Sequence, residues 1–376
     1  MRHFSSIIIL LILFGFTTER GNPKTPSIED ITQELVNEVA KDNIGSLSIT
    51  IVKHDSISYF RAYGEINKFN KFLPDTSTLY RIASVSKSFT ALLMLKLVEE
   101  GYFKLDNPIE KYLPEVRLIK GYSSSTQITF RQLASHTAGI DRNSNRKWQQ
   151  SGATSNWENT TLSAIPHIKF VCKPNTKMVY SNVGYAILGL AMSRAAKTPY
   201  IKLIKDKILV PLNMNSTFFD VPENRLKNLA DGTCDCGLLR HKNTRIPKKH
   251  HKGEGYHVPG GGIYSTPYDL AKFIAVLMGT SNKKIVTDES LITMQTGIMK
   301  YNDAIRRTFK DVEYGLGTVV YHLDDNRTVF AHSGSTEGYW TTYAYDKTKK
   351  IAVIIMLNYD KHLDNEGTVV KILNQL

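Results

Sequence analysis

The sequence predicts an α+β fold in which strands from both ends of the chain form one antiparallel sheet flanked by helices. Two segments near the N-terminus, 46–52 and 56–63, have the apolar–polar alternation of strands joined in a hairpin. Three more segments with strand composition, 328–331, 339–345 and 351–358, lie near the C-terminus. Between the two groups, helical and loop-like sequence alternates, so we expect a large, mostly helical domain inserted beside the sheet.

These patterns divide the chain into three parts. Residues 1–21 form an N-terminal segment, 22–83 and 310–376 a sheet domain, and 84–309 a mostly helical domain. A helix is predicted over 28–40, and a short amphipathic segment, 369–376, closes the chain. A cleft between the two domains is the expected position of the active site.

Composition and charge narrow the function classes. With 41% hydrophobic and 22% charged residues among 376, the chain can bury a large core and is not of the disordered class. The formal net charge of +13 favours encounters with polyanions. The densest basic run, 245–252, lacks interleaved aromatic residues, so we predict no nucleic-acid partner.

Residues 1–21 have the composition of a signal peptide or N-terminal anchor. An apolar run over 7–16 follows Arg2 and precedes a polar stretch. The run is short for a membrane span of about 20 residues, and no Ala-x-Ala site follows it, so cleavage stays open. We predict an exported protein, periplasmic or extracellular, whose only candidate membrane contact is an uncleaved N-terminal anchor.

Three cysteines, Cys172, Cys234 and Cys236, are too few for a disulfide framework and allow one pair at most. The spacing of Cys234 and Cys236 from the histidines that follow fits no common zinc pattern. We therefore expect no metal.

The first chemically informative motif is Ser84-Val85-Ser86-Lys87, at the start of an apolar helix predicted over 89–98. As a helix cap the motif is unfavourable, because Lys87 stands where a capping box needs Glu or Gln and its charge opposes the helix dipole. The i, i+3 spacing brings the lysine amine beside the serine hydroxyl. Burial lowers the pKa of a lysine, so a neutral Lys87 could take the proton of Ser84 and make it a nucleophile.

Two other Ser-x-x-Lys matches begin at Ser144 and Ser281, but both lie in polar, loop-like sequence. Only Ser84 precedes an apolar helix that would desolvate the lysine. The context therefore selects Ser84.

With this motif, the sequence resembles the penicillin-recognising serine hydrolases, in the branch of class C β-lactamases and DD-peptidases. That branch carries a second motif, Tyr-x-Asn, and Tyr180-Ser181-Asn182 is its one match among the 19 tyrosines. The third motif, a basic residue followed by Ser or Thr and Gly on a late strand, is matched by His332-Ser333-Gly334, with Ser335 next. All three occur in the family's order, which implies a β-lactamase/transpeptidase-like fold.

The resemblance implies roles for five residues, and His332 is the sixth candidate. Ser84 attacks the substrate carbonyl and forms an acyl-enzyme, while Lys87 and Tyr180 share the acid and base work, with the general base left open. Asn182 holds the lysine or the substrate amide. The backbone N–H groups of Ser84 and Ser335 form the oxyanion hole. No organic cofactor is implied, and a tight turn at 260–262 is expected to line the cleft.

His332 departs from the lysine usual in class C β-lactamases. Histidine is mostly neutral at pH 7 and so gives a weaker, pH-dependent anchor for a carboxylate. We therefore rank a D-Ala-type peptide, a D-amino acid derivative or an ester, including cell-wall-derived substrates, above a β-lactam. The alternatives are a β-lactamase and a penicillin-binding sensor that is acylated without turnover. The oligomeric state stays open.

A different enzyme class, the α/β-hydrolases, would use Ser333 as the nucleophile. The flanking glycines of its nucleophile elbow are missing, and only His362 follows as a candidate histidine. This alternative is disfavoured.

Overall fold

The computed structural model describes most of the chain from Ser27 onward. The described residues are 27–42, 45–67, 72–150, 152–233, 253, 255–301, 311–359 and 365–376. The predicted N-terminal segment, Cys234 and Cys236 lie outside them.

An eight-stranded antiparallel sheet is the centre of the fold. In chain order, the described strands are β1 (Gly45–Lys53), β2 (Ser56–Glu65), β3 (Tyr80–Arg81), β4 (Tyr264–Ser265), β5 (Met299–Lys300), β6 (Asp311–Tyr314), β7 (Val319–His322), β8 (Thr328–Thr336), β9 (Tyr339–Asp346) and β10 (Ile351–Leu357). Strands β3 and β4 pair with each other, and the others form the large sheet. The strand order in the large sheet is β2-β1-β10-β9-β8-β7-β6-β5. Pairing of β1 with β10 joins the two ends of the chain, with Leu47 opposite Leu357.

The helices lie before, between and after these strands. They are α1 (Ile28–Asp42), α2 (Ser86–Glu99), α3 (Phe130–Ala134), α4 (Trp157–Ala164), α5 (Asn182–Ala195), α6 (Tyr200–Ile204), α7 (Val258–Gly261), α8 (Pro267–Met278), α9 (Asp288–Gln295) and α10 (Asn365–Gln375). No helix among the described residues is long and apolar enough to cross a membrane.

Both faces of the sheet are covered. On one face, Leu35 of α1 and Leu373 of α10 join a buried cluster with Ile49 and Ile355 of the central strands. On the other face, Ile354 belongs to a second cluster that continues through α2 and α5. Because neither face meets water, β9 and β10 are buried along their whole lengths instead of alternating between buried and exposed residues.

The predicted α+β fold is confirmed, including the N-terminal hairpin and the pairing of N- and C-terminal strands. The third-motif strand was predicted to end at Ala331 but continues to Thr336, because pairing with β9 supports polar residues that lack strand propensity. Strands β5, β6 and β7 were not predicted, since two to four residues are too few to show alternation. The division at 84–309 stays a prediction.

Candidate active site

Ser84 lies on a single 3₁₀ turn, Ala83–Val85, between β3 and α2. The turn is closed by the Val85 N–H, which donates to the Ile82 carbonyl at 3.0 Å. Ala83 has φ of +43°, a left-handed conformation that strains a residue with a Cβ atom. The backbone is thus held in an unfavourable shape directly before the candidate nucleophile.

The helix begins later than the sequence indicated. Its N-cap is Val85, which places Lys87 at the second helical position, not the third. The continuous turn still brings residues 84 and 87 together, because a 3₁₀ turn and an α-helix both place i and i+3 on neighbouring positions.

Lys87 is fully buried and has three oxygen neighbours. Its Nζ lies 3.0 Å from Ser84 Oγ, 3.0 Å from Asn182 Oδ1 and 2.8 Å from the Gly260 carbonyl oxygen. Two of these oxygens can only accept hydrogen bonds. A neutral amine would therefore donate both of its protons to Asn182 and Gly260 and would turn its lone pair toward the Ser84 hydroxyl.

Burial lowers the pKa of Lys87 well below that of a free lysine, and the positive charge of Arg142 lowers it further. The rings of Tyr180 and Tyr185, with centroids 4.9 and 5.4 Å from Nζ, would favour a cation. Desolvation by burial acts against these ring contacts and lowers the pKa of Lys87 more than the Arg142 charge does. The site therefore favours the uncharged form that a general base requires.

The second motif stands at the N-terminus of α5. Ser181 is the N-cap, and its Oγ accepts from the Gly184 N–H at 2.9 Å and donates to the Asp141 carbonyl at 2.6 Å. Asn182 donates through Nδ2 to Asn143 Oδ1 at 3.0 Å, which orients its own Oδ1 toward Lys87. Helix capping and amide pairing thus place this motif against the first.

Arg142 borders the same site from a loop. Its side chain is exposed, and its guanidinium carbon lies 4.9 Å from the Tyr180 ring centroid. Its carbonyl accepts from the Asn182 N–H at 2.8 Å. Arg142 therefore fixes the second motif through its backbone and acts on the lysine through its charge.

The third motif approaches Ser84 through its glycine. A Cβ atom at Gly334 would lie 2.2 Å from the Ile82 carbonyl oxygen and 2.6 Å from the Ser84 nitrogen. Only glycine permits this contact between strand β8 and the 3₁₀ turn. Ser335, the next residue, is exposed.

His332 is buried two residues before Gly334. Its Nδ1 lies 2.8 Å from the Ser333 carbonyl oxygen, and its Nε2 lies 2.9 Å from the Tyr314 hydroxyl oxygen. A neutral ring fits both contacts, with Nδ1–H donating to the carbonyl and Nε2 accepting from the phenol. Both ring nitrogens thus have partners within the protein.

The structure brings the three motifs together and adds the Gly260 carbonyl and four residues that the sequence did not single out: Asn143, Arg142, Tyr314 and His136. Gly260 lay in the predicted turn, which is the short helix α7, but nothing in the sequence showed that its carbonyl faces Lys87. The others act through tertiary contacts and have no local pattern. Among the described residues, no group of three or more His, Cys, Asp or Glu side chains could hold a metal ion.

With this geometry in place, comparison with known proteins identifies the class. A family model described as Beta-lactamase matches residues 30–372, and the chain belongs to this family. The resemblance drawn from the three motifs is confirmed.

Individual relatives are distant. Beta-lactamase-like protein 4 of Dictyostelium discoideum is 27% identical over 86% of this chain, and the match covers 58% of that protein. The chain thus spans little more than half the length of this curated relative.

Two solved structures resemble the chain over 93% of its length at 25% identity. The octameric penicillin-binding protein homologue from Pyrococcus abyssi has a TM-score of 0.78 with 77% of its own chain covered. The β-lactamase/D-alanine carboxypeptidase from Yersinia pestis, solved with citrate, has a TM-score of 0.73 with 98% covered.

Proposed function

We propose that this protein is a serine hydrolase that cleaves an amide, peptide or ester through an acyl-enzyme on Ser84. The observation that carries the proposal is the contact of 3.0 Å between Lys87 Nζ and Ser84 Oγ, at an amine whose pKa burial lowers. Membership of the β-lactamase family supports it.

Acylation begins when Ser84 Oγ attacks the substrate carbonyl carbon and its proton passes to Lys87 or Tyr180. The carbonyl oxygen becomes an oxyanion, for which the backbone N–H groups of Ser84 and Ser335 are the proposed donors. One such donor is typically worth about 3 to 4 kcal/mol. Collapse of this tetrahedral intermediate breaks the bond to the leaving group, which takes the proton from the base. An ester on Ser84 remains.

Deacylation repeats these steps with water. A water molecule attacks the ester carbonyl, its proton passes to the same base, and Ser84 regains a proton as the acid product leaves. Asn182 keeps the amine beside Ser84 throughout, because its Oδ1 is held by the contact of its amide with Asn143.

The proposed substrates are D-Ala-type peptides, D-amino acid derivatives or esters, cell-wall-derived ones included, in preference to β-lactams. The contacts of His332 support this order, because its ring nitrogens pair with Tyr314 and Ser333 and a neutral ring anchors a carboxylate weakly. The Yersinia pestis structure is described as a β-lactamase and a D-alanine carboxypeptidase, which supports both substrate classes. We also propose that the protein acts after export, outside the cytoplasm.

The deciding experiment is a substrate panel on the purified protein. It contains D-Ala-D-Ala peptides, D-amino acid amides, short-chain esters and a chromogenic cephalosporin. We expect Ser84→Ala to abolish turnover of every active substrate while circular dichroism stays unchanged. Full activity in this variant would refute the proposal and favour Ser333.

Two further variants test the activation of the nucleophile. Lys87→Ala and Tyr180→Phe should each lower kcat/KM by at least about 10²- to 10⁴-fold, the usual contribution of general acid–base catalysis. A near-normal rate in Lys87→Ala would refute the proposed activation of Ser84 by Lys87. Activity of the parent protein on the cephalosporin alone would favour a β-lactamase.

Intact mass after mixing with a β-lactam distinguishes a hydrolase from a sensor. We expect rapid return to the mass of the free protein, or no adduct. An adduct on Ser84 that persists for hours, together with no turnover in the panel, would identify a penicillin-binding sensor.

A further inference from the structure

His136 is a buried histidine to which the acyl-transfer steps assign no part. Its Nδ1 accepts from the Ser181 N–H at 3.0 Å, and its backbone carbonyl accepts from the Val179 N–H at 2.8 Å. Its ring lies against the ring of Tyr180, with centroids 4.1 Å apart. One residue thus contacts Tyr180 and both of its neighbours.

These contacts determine which nitrogen of the His136 imidazole carries the proton. An imidazole nitrogen that accepts from a backbone N–H carries no proton, so a neutral His136 carries its proton on Nε2. Burial, the largest cause, and the positive charge of Arg142 lower the pKa of His136 well below its usual value, in agreement with a neutral ring. Among the described residues, Nε2 has no hydrogen-bond partner, while the ring of Tyr314 lies 5.0 Å away.

From this geometry we infer that His136 is a positioning residue that fixes Tyr180 and Asn182 relative to Lys87. Ser181 begins helix α5 as its N-cap, so its own N–H has no acceptor within the helix. His136 supplies that acceptor, and its ring packs at a tilt against the phenol of Tyr180. The inference rests on the proposed function, because it assigns Tyr180 and Asn182 to the reaction.

Three substitutions test separately the hydrogen-bond acceptor, the aromatic ring and the backbone conformation of His136. His136 has φ of +61°, a conformation that asparagine and glycine tolerate. His136→Asn keeps an acceptor near the position of Nδ1 and suits this backbone. His136→Gly suits the backbone without an acceptor, and His136→Phe keeps a ring without one.

We expect His136→Asn to stay within about tenfold of the parent kcat on the best substrate of the panel. The Gly and Phe variants should lose about 10²-fold in kcat with little change in KM, the scale of a misplaced catalytic group. Equal losses in all three variants, or parent activity in His136→Phe, would overturn the inference.

A measurement on the unsubstituted protein tests the inference even if the His136 variants fail to fold. Nitrogen NMR with labelled histidine at pH 7 should show His136 as the Nε2–H tautomer with an acceptor at Nδ1, its signal assigned by its loss in His136→Asn. The other tautomer or a doubly protonated ring would overturn the inference. If Ser84→Ala retained activity, the proposed function would fail, whatever the His136 variants showed.

Discussion

At the scale of single residues, the proposed mechanism depends on the charge state of Lys87. Among the described residues, the three oxygen neighbours of the amine are a hydroxyl and two carbonyls, and none of them is a carboxylate. A protonated Lys87 would be a buried cation without an anionic partner there, which is costly. The folded protein therefore binds this proton more weakly than the unfolded chain does.

The pH dependence of the reaction follows from this difference. Because the pKa of Lys87 is lowered in the folded state, the amine becomes neutral at a lower pH than a free lysine. We expect kcat/KM to rise with pH through a group whose apparent pKa lies well below 10.5, measured on a neutral ester. A pH profile of kcat/KM whose rise is centred at the pKa of an ordinary lysine would contradict the proposed role of a neutral Lys87.

Arg142→Gln tests the second cause of that shift. Removing the guanidinium removes a positive charge that disfavours the ammonium, so the pKa of Lys87 should rise and the rising limb should move to higher pH. Arg142→Lys is the matched control, since it keeps the charge and should move the limb less. A limb that moves to lower pH in Arg142→Gln would show that the arginine acts in another way.

At the scale of elements, the contact between β8 and the 3₁₀ turn sets the geometry around Ser84. The contact is made by main-chain atoms on both sides, with Gly334 against Ile82 and Ser84. Main-chain atoms cannot rotate out of the way as a side chain can. The turn that carries Ser84 and the strand that carries the third motif are therefore closely coupled.

Gly334→Ala should separate these two elements. The added methyl group would lie 2.6 Å from the Ser84 nitrogen and 2.9 Å from the Val85 nitrogen, so the turn must shift. We expect kcat/KM to fall by about 10²-fold or more, measured by steady-state kinetics on the best substrate.

Gly101→Ala is the control for this prediction. Gly101 has φ of +81° and no atom within 4 Å of an added Cβ, so the substitution strains the backbone by about 1 to 2 kcal/mol away from the site. Its kcat/KM should match the parent value. Equal activity in the two variants would show that the close contact at Gly334 is not required.

At the scale of the whole molecule, one buried cluster connects the sheet with the helices. It contains Tyr343 and Ile354 from the strands and Phe89 and Tyr185 from α2 and α5. Phe89 also stacks on Phe273 of α8, with ring centroids 3.6 Å apart. A shared core of this kind should make the two parts unfold together.

Phe89→Ala tests this coupling. Loss of a buried phenylalanine typically costs about 3 to 5 kcal/mol, so we expect a lower midpoint of a single transition by calorimetry and by circular dichroism. Phe72→Ala, at a side chain that is 59% exposed, should change stability by less than about 0.5 kcal/mol. Two separate transitions in either variant would show that the helical part is an independent unit.

The long, strongly patterned elements were predictable. The buried helix α2, the hairpin of β1 and β2, and strands β9 and β10 are each long enough for their apolar pattern to be recognised. The short strands β5 to β7 and the last five residues of β8 were not, because their strand geometry depends on hydrogen bonds to neighbours that are distant in sequence.

The amino-acid sequence by itself determined the family, the fold class and the three motifs, because each is written in local spacing or in residue order. Only the tertiary structure decided what surrounds Lys87 and His332. The Gly260 carbonyl, the guanidinium of Arg142 and the phenol of Tyr314 reach them from other elements or loops, outside the local sequence of either residue. Burial and charge at such contacts depend on distances in space, which no local pattern encodes.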